Sequence, residues 1–413
     1  MVAVVKRIEA KQPIMLTSIP VEFVLFALVL IGVAVCHHRT FEVAVAGVVV
    51  ITAYRYFTTP FNPFTHWQGE WPLLLNLFGL LMGFALLARH FAESHVPTLL
   101  PRWLPAGWMG GFVLLACVFV LSSFLDNIAA AMIGGTLAMV VFRGHVHVGY
   151  LAAIVAASNA GGAGSVMGDT TTTMMWIDGV LPVNVMHAYV GAGMAVLVCG
   201  LIAARQQHRY HPIFLGGEGV RIDGGRLLIV LAILGGAILA NMWFGFPAIG
   251  VWVVIGAGAF FRKTHWHELR QSLKGSLFLV ALVWCASLMP VESLPPASIA
   301  SVFMLGFLSS VFDNIPLTKL VLDQGGYDWG FVAYAVGFGG SMLWFGSSAG
   351  VALTNLFPQG RSVGAWIRDG WHVAFGYILG FAVMLALMGW HPHAAHKNHV
   401  LPRKPPAETF QMK

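Results

Sequence analysis

Ser122-Ser123-Phe124-Leu125-Asp126-Asn127-Ile128 and Ser309-Ser310-Val311-Phe312-Asp313-Asn314-Ile315 lie in opposite halves of the chain and agree at five of seven positions. Each sits near the middle of an apolar stretch, about 108–142 and about 298–325, where a helix crossing straight through a bilayer would put its carboxylate in hydrocarbon. A re-entrant hairpin avoids that cost. Its two arms dip in from one face and turn at the polar tip, which is tolerated where irregular backbone is buried in protein or faces a water-filled cavity. Both tips are therefore expected near mid-membrane.

The composition around these stretches leaves few alternatives to a membrane protein. Of 413 residues, 58% are hydrophobic and only 10% are charged, against about 25% charged in soluble domains; the mean hydropathy is +0.77. A chain of this length has room for roughly ten crossings, which excludes a soluble enzyme or a single-pass receptor. Apolar segments run to Cys36 and then over about 41–57, 71–89, 108–142, 149–176 and 180–204. After a polar stretch they return near 227–243, 247–262, 273–290, 298–325, 331–357 and 370–390.

The expected fold class is an all-α polytopic membrane protein made of two inverted repeats of five crossings, each with a re-entrant hairpin and a broken transmembrane helix. The first repeat covers 1–204, with its hairpin at about 108–142 and its broken helix at about 149–176. A cytoplasmic linker covers 205–226. The second repeat covers 227–390, with hairpin and broken helix at about 298–325 and 331–357, and a polar His-rich tail covers 391–413, best read as disordered, with weak transition-metal binding by the His391–His399 segment as the alternative.

Charge placement supports this count. The chain has 23 Lys and Arg against 17 Asp and Glu. If the hairpins add no net crossing, fourteen cationic residues from Arg39 to Arg368 fall on one face, while Arg55 alone falls on the other between the tails. The positive-inside rule makes the first face cytoplasmic and places both termini outside. The basic excess thus orients helices and lends no support to nucleic acid binding. Cys36, Cys117, Cys199 and Cys285 are scattered through apolar segments without disulfide or zinc spacing and read as packing residues.

Downstream of each tip the chain repeats a second pattern. Asn159-Ala160-Gly161-Gly162-Ala163-Gly164-Ser165-Val166-Met167-Gly168-Asp169-Thr170 aligns with Gly337-Phe338-Gly339-Gly340-Ser341-Met342-Leu343-Trp344-Phe345-Gly346-Ser347-Ser348. Gly161, Gly162 and Gly168 meet Gly339, Gly340 and Gly346. Glycine costs a helix about 1 kcal/mol per residue relative to Ala, so these runs predict breaks whose freed backbone groups can serve a small ion.

Tips and breaks together supply oxygens from Asp126, Asn127, Asn159, Ser165, Asp169, Thr170, Thr171, Asp313, Asn314, Ser341, Ser347 and Ser348. That mixture suits a hard cation. A carboxylate buried there has its proton favoured by desolvation and disfavoured by a bound cation. Proton and metal ion then compete for one group, which is the simplest exchange mechanism. The bland alternative for each aspartate is a helix-end or packing role. Lys319, whose counterpart in the first half is Met132, has three readings: an ion pair with Asp313, a proton-exchanging group, or a long side chain reaching to the interface. His145 and His147 stand at an expected cytoplasmic edge, as ordinary interface residues or as pH sensors.

On Leu125-Asp126-Asn127, Asn159-Ala160-Gly161-Gly162, Gly168-Asp169, Thr171-Thr172, Asp313-Asn314-Ile315-Pro316-Leu317, Gly339-Gly340-Ser341, Gly346-Ser347 and Ala349-Gly350-Val351-Ala352, the sequence resembles the ion transporter superfamily, most closely the NhaD-type bacterial sodium/proton antiporters. The resemblance covers about 70–390. It implies a homodimer in a bacterial inner membrane, an elevator-like motion, transported sodium and protons, no cofactor, and no metal beyond the transported cation. A cation-coupled carrier of citrate, a dicarboxylate or another small anion is the alternative within the same fold. An intramembrane enzyme is not expected: Val166-Met167-Gly168-Asp169 lacks the first glycine of a Gly-x-Gly-Asp element, and neither His-Glu-x-x-His nor Gly-x-Ser-x-Gly occurs.

Overall fold

The computed structural model describes residues 20–35, 39–96, 99, 104–214 and 221–393. Cys36 and the tail from 394 onward lie outside the described residues, which contain helices and no strand.

Three helices open the chain: α1 (Val21–Val35), α2 (Thr40–Thr58) and α3 (Pro63–Glu93). A helix pair follows, α4 (Trp108–Ser122) and α5 (Asn127–Val141), then an interrupted helix, α6 (Val148–Ala163) and α7 (Thr170–Ile177), and a closing helix α8 (Ala188–Tyr210). The order then recurs. Helices α9 (Gly224–Phe244), α10 (Pro247–Gly258) and α11 (His267–Ser287) precede a pair, α12 (Ile299–Ser309) and α13 (Asn314–Gln324). Helix α14 (Trp329–Val332) runs on as a π-helical stretch, Ala333–Phe338, before a break, α15 (Ser348–Leu356) and α16 (Val363–Met388).

Five helical spans are long and apolar enough to cross a membrane: Thr40–Thr58, Pro63–Glu93, Val183–Tyr210, Gly224–Phe244 and Val363–Met388. Side-chain placement agrees. Helix α9 buries Ile229, Ile233 and Ala237 but exposes Leu231, Leu239, Met242 and Trp243. An apolar face of that size marks contact with lipid or protein rather than water. Helix α6 is instead buried from Gly149 to Ala163 on every side, which places it at the centre.

Two boundaries differ from the hydropathy reading. Helix α3 begins at Pro63 rather than near 71, because Asn62 Oδ1 accepts from Phe64 N at 2.9 Å and proline stands at the first helical position. Its 31 residues span about 46 Å at 1.5 Å per residue, so Glu70 belongs to a helix and not to a loop. The stretch 205–226 is also not wholly linker. Helix α8 runs on to Tyr210, where buried Gln207 donates to the carbonyls of His145 and His211, and Asp223 caps α9 by accepting from Gly225 N and Arg226 N.

The helices sort into two packing groups. Helices α1, α2, α3, α9, α10 and α11 pack mainly on one another, as do α4 to α8 with α12 to α16. The groups meet where α13 lies on α11 and where α7 and α5 lie on α3. The first group is tied at its Arg-rich end by Arg226–Glu93 (2.7 Å), His265–Glu93 (2.8 Å), Arg262–Asp223 (3.2 Å) and Lys274–Glu42 (2.6 Å).

At the other end the first residues of the tail are docked, against the expectation of disorder. His391 N donates to Asp328 Oδ2 at 2.8 Å, His393 N to the Tyr327 carbonyl at 3.0 Å, and Trp329 Nε1 to the His393 carbonyl at 2.8 Å. His147 acts as the N-cap of α6, accepting from Gly149 N at 3.2 Å, and His145 stacks on His211.

Candidate ion site

Each half builds the same turn. Asp126 and Asp313 are the N-caps of α5 and α13, with φ/ψ of −51°/140° and −53°/138°. Their Oδ1 atoms accept from Ile128 N at 2.9 Å and Ile315 N at 3.0 Å. Asp169 caps α7 through Thr171 N at 3.2 Å, and Ser347 caps α15 through Gly350 N at 3.3 Å. The helix-end role weighed for the aspartates is therefore real. It uses one carboxylate oxygen and leaves the other.

Hydroxyls and glycines press the tips onto the breaks. Ser122 Oγ donates to the Ser158 carbonyl, and Ser309 Oγ donates to the Val336 carbonyl, the matched position. Ser123 Oγ reaches the Gly161 carbonyl at 3.1 Å. A Cβ on Gly161 would run into the Phe119 carbonyl, and one on Gly339 into the Gly306 carbonyl, again at matched positions. Gly162 lies against Gly168, and Gly340 against Gly346, where each chain folds back on itself. Here glycine is needed for close backbone approach as well as for interrupting the helix.

The breaks cross at a buried amide network. Asn127 Nδ2 donates to Asn159 Oδ1 at 3.0 Å, and Asn159 Nδ2 donates to Ser341 Oγ at 2.9 Å and Ser347 Oγ at 3.1 Å. Asn314 Nδ2 points to Asp169 Oδ2 at 3.4 Å, and Ser348 Oγ donates to Asp313 Oδ2 at 3.3 Å. Asp126, Asp313 and Ser348 also line a cavity of about 510 Å³ between the two packing groups, whose other wall includes Leu81, Phe84, Ser276 and Leu279. Asp126, Asp169 and Thr170 line a second void of about 10 Å³ against α3, room for about one water.

Nearly all the expected oxygens thus lie around one locus. Thr171 is buried beside Asp169 through its backbone contact. Ser165 instead braces the first break, its Oγ accepting from Met167 N at 3.3 Å and its carbonyl accepting from Thr172 Oγ1 at 2.6 Å. Among the described residues no group of three or more His, Cys, Asp and Glu is placed to hold a metal ion, so a cation here would rely on amide, hydroxyl and backbone oxygens besides carboxylates. Cys199 and Cys285 are buried free thiols, and Cys117 is half-buried and free.

Lys319 departs from the first of its readings. It makes no ion pair with Asp313 and, at 4% exposed, is buried within the protein. Its Nζ lies 2.6 Å from Asp323 Oδ1 and 3.1 Å from Glu70 Oε2. A buried ammonium is tolerated when paired, and these carboxylates pair it. Asp323, four residues on along the same helix, carried a readable i,i+4 signal. Glu70 did not, because it preceded the segment expected to be helical.

A helical polytopic membrane protein with one buried and two cavity-lining aspartates at the meeting of two broken helices is the class these features define. Curated relatives agree with it. Over 360 residues the chain is 27% identical to sodium/proton antiporter 1 of Arabidopsis thaliana, covering 75% of this chain and 59% of that protein. It is 26% identical to the Na(+)/H(+) antiporter NhaD of Alkalimonas amylolytica over 351 residues, 68% of this chain and 69% of that one. To NhaD of Vibrio parahaemolyticus it is 28% identical over 303 residues, 60% and 72% of the two chains. No family model matches the chain. The chain is a relative of the NhaD-type sodium/proton antiporters, and these relatives are named as transporters, not enzymes.

Proposed function

We propose that this protein is a secondary active transporter that exchanges a monovalent cation, sodium in the first instance, for protons. The observation that carries the reading is the convergence of Asp126, Asp169 and Asp313, each with one oxygen fixed by a helix N-terminus, around a buried amide and hydroxyl network beside an open cavity. A fixed oxygen holds the carboxylate in place while the other takes either a proton or a cation. Desolvation favours the proton and the cation reverses that preference, so the two ligands exclude each other.

The recurring element order and the matched contacts of the two halves support inverted repeats with re-entrant hairpins, a frame in which transporters bind at mid-membrane. The large cavity reaches Thr40, Ala88 and Ser272, beside Arg39, Arg89 and Arg270. With the Arg-rich face cytoplasmic, the site faces inward. On this reading the group holding α4 to α8 and α12 to α16 carries the ion, the group holding α1 to α3 and α9 to α11 is the scaffold, and two chains associate in a bacterial inner membrane.

The carboxylate-carrier alternative draws on the helix N-termini directed at the site, which attract anions. Those of α5, α7, α13 and α15 are already occupied by their own side-chain caps, and the aspartates would repel an anion. Everted membrane vesicles carrying a preformed proton gradient separate the readings. Collapse of the gradient on adding sodium, with none on adding citrate, is expected; citrate uptake without sodium-driven proton movement would overturn the proposal.

A further inference from the structure

Lys319 and Glu70 belong to different packing groups. Glu70 is on α3 of the scaffold, and Lys319 is on α13, the helix capped by Asp313. The other ion pairs described above stay within one group. Lys319 Nζ meets both Glu70 oxygens, at 3.2 Å and 3.1 Å, while Asp323 Oδ1 holds the same ammonium at 2.6 Å. The cluster lies beyond the site from the open cavity: α13 runs from its tip at Asn314 toward Gln324, and Glu70 stands near the start of α3, whereas Leu81, Phe84 and Ala88 farther along α3 line the cavity. His66 on α3 and Asp178 at the end of α7 also act electrostatically on this cluster, and Arg55 on His66.

We infer that Glu70 is a positioning residue: its carboxylate latches Lys319, and with it the second hairpin, to the scaffold while the cavity is open on the Arg-rich side. This rests on the exchange reading, because a site that alternates between faces must slide past α3 and part this pair. Asp323 travels with Lys319 and keeps the ammonium paired during the excursion. A buried charge could not be left unpartnered at low cost; the triad permits the inter-group contact to break while the intra-group one persists. The latch biases which face is open, since removing a contact made in only one of two states shifts the population toward the other.

The test uses the full chain carrying Ala352→Cys, a cavity-lining position on α15, labelled by a membrane-impermeant maleimide applied to the Arg-rich face of inside-out vesicles. Labelling is scored above that of the chain without Ala352→Cys. Glu70→Gln is expected to lower the labelling rate severalfold, and Glu70→Asp, which keeps the charge with a shorter reach, to give an intermediate rate. Because Asp323 still pairs Lys319 in both variants, each should melt close to the parent. Unchanged labelling in both, in protein that melts like the parent, overturns the latch. If Glu70→Gln fails to fold, Glu70→Asp decides alone: reduced labelling supports the latch and parental labelling overturns it. Labelling needs no transported ion, so a chain that exchanged neither sodium nor protons would still report the latch.

Discussion

Gly337 faces Asp169: a Cβ at position 337 would lie 3.3 Å from Asp169 Oδ2. At the matched positions of the opposite halves, Asn159 occupies the corresponding space and donates to Ser347 Oγ at 3.1 Å. One crossing is therefore filled by an amide and a hydroxyl, the other by a carboxylate that meets a glycine with no side chain between them.

Gly337→Ala should crowd that carboxylate oxygen. The added methyl is tight but not forbidden, so folding is expected to persist while the KM for the transported cation rises severalfold. Exchange rates in proteoliposomes over a cation titration check this; an unchanged KM would separate Asp169 from cation binding.

Asp313→Asn keeps an oxygen that can cap α13, since Asn and Asp cap comparably, but removes the charge. Exchange should fall to the level of empty liposomes while membrane insertion and melting temperature stay near the parent. Flux at the parental rate in purified variant would remove Asp313 from the mechanism.

Asn159→Ala breaks the network on both sides, leaving the Asn127 amide without its acceptor and two serine hydroxyls without their donor. An unsatisfied buried polar group costs about 1–3 kcal/mol. The variant should melt measurably lower in detergent and lose exchange, whereas Ser165→Ala, whose hydroxyl meets the local turn and Tyr189 but neither Asn127 nor Asn159, should spare the network.

The Arg262 guanidinium, by hydrogen bonding to Asp223, holds that exposed carboxyl below its ordinary range. A depressed carboxylate stabilises the fold above its unfolded-state pKa, and the contribution is lost as pH falls through the folded-state value. Asp223→Asn retains a capping oxygen, so its melting temperature should trail the parent at neutral pH and converge with it under acid conditions. A gap of constant size across pH would assign the effect to the cap instead of the charge.

Much of this was readable because a membrane makes polar residues conspicuous. Asp126, Asp313 and the glycine runs interrupt apolar stretches, and backbone approach at Gly161 and Gly339 explains why those residues are glycine. What stayed hidden depends on distant pairing. Nothing near Asn159 in the sequence marks Ser341 or Ser347 as its partners, and Glu70 sat among polar residues that hydropathy assigned to a loop. The relation of Lys319 to Glu70 appears only once α3 is extended to its cap at Asn62.

The contacts of Ser122 and Ser309, and of Gly161 and Gly339, with opposing carbonyls join hairpins to breaks and are alike in both halves, while the groups presented are not: Asn159 against Gly337, Asp169 against Ser347, Met132 against Lys319. A duplicated scaffold of this kind can diverge in cargo by exchanging a few inward-pointing groups while the main-chain contacts between hairpin and break are kept. Selectivity can thus drift through side chains, within the limit that whatever stands at 169 and 347 must still cap its helix.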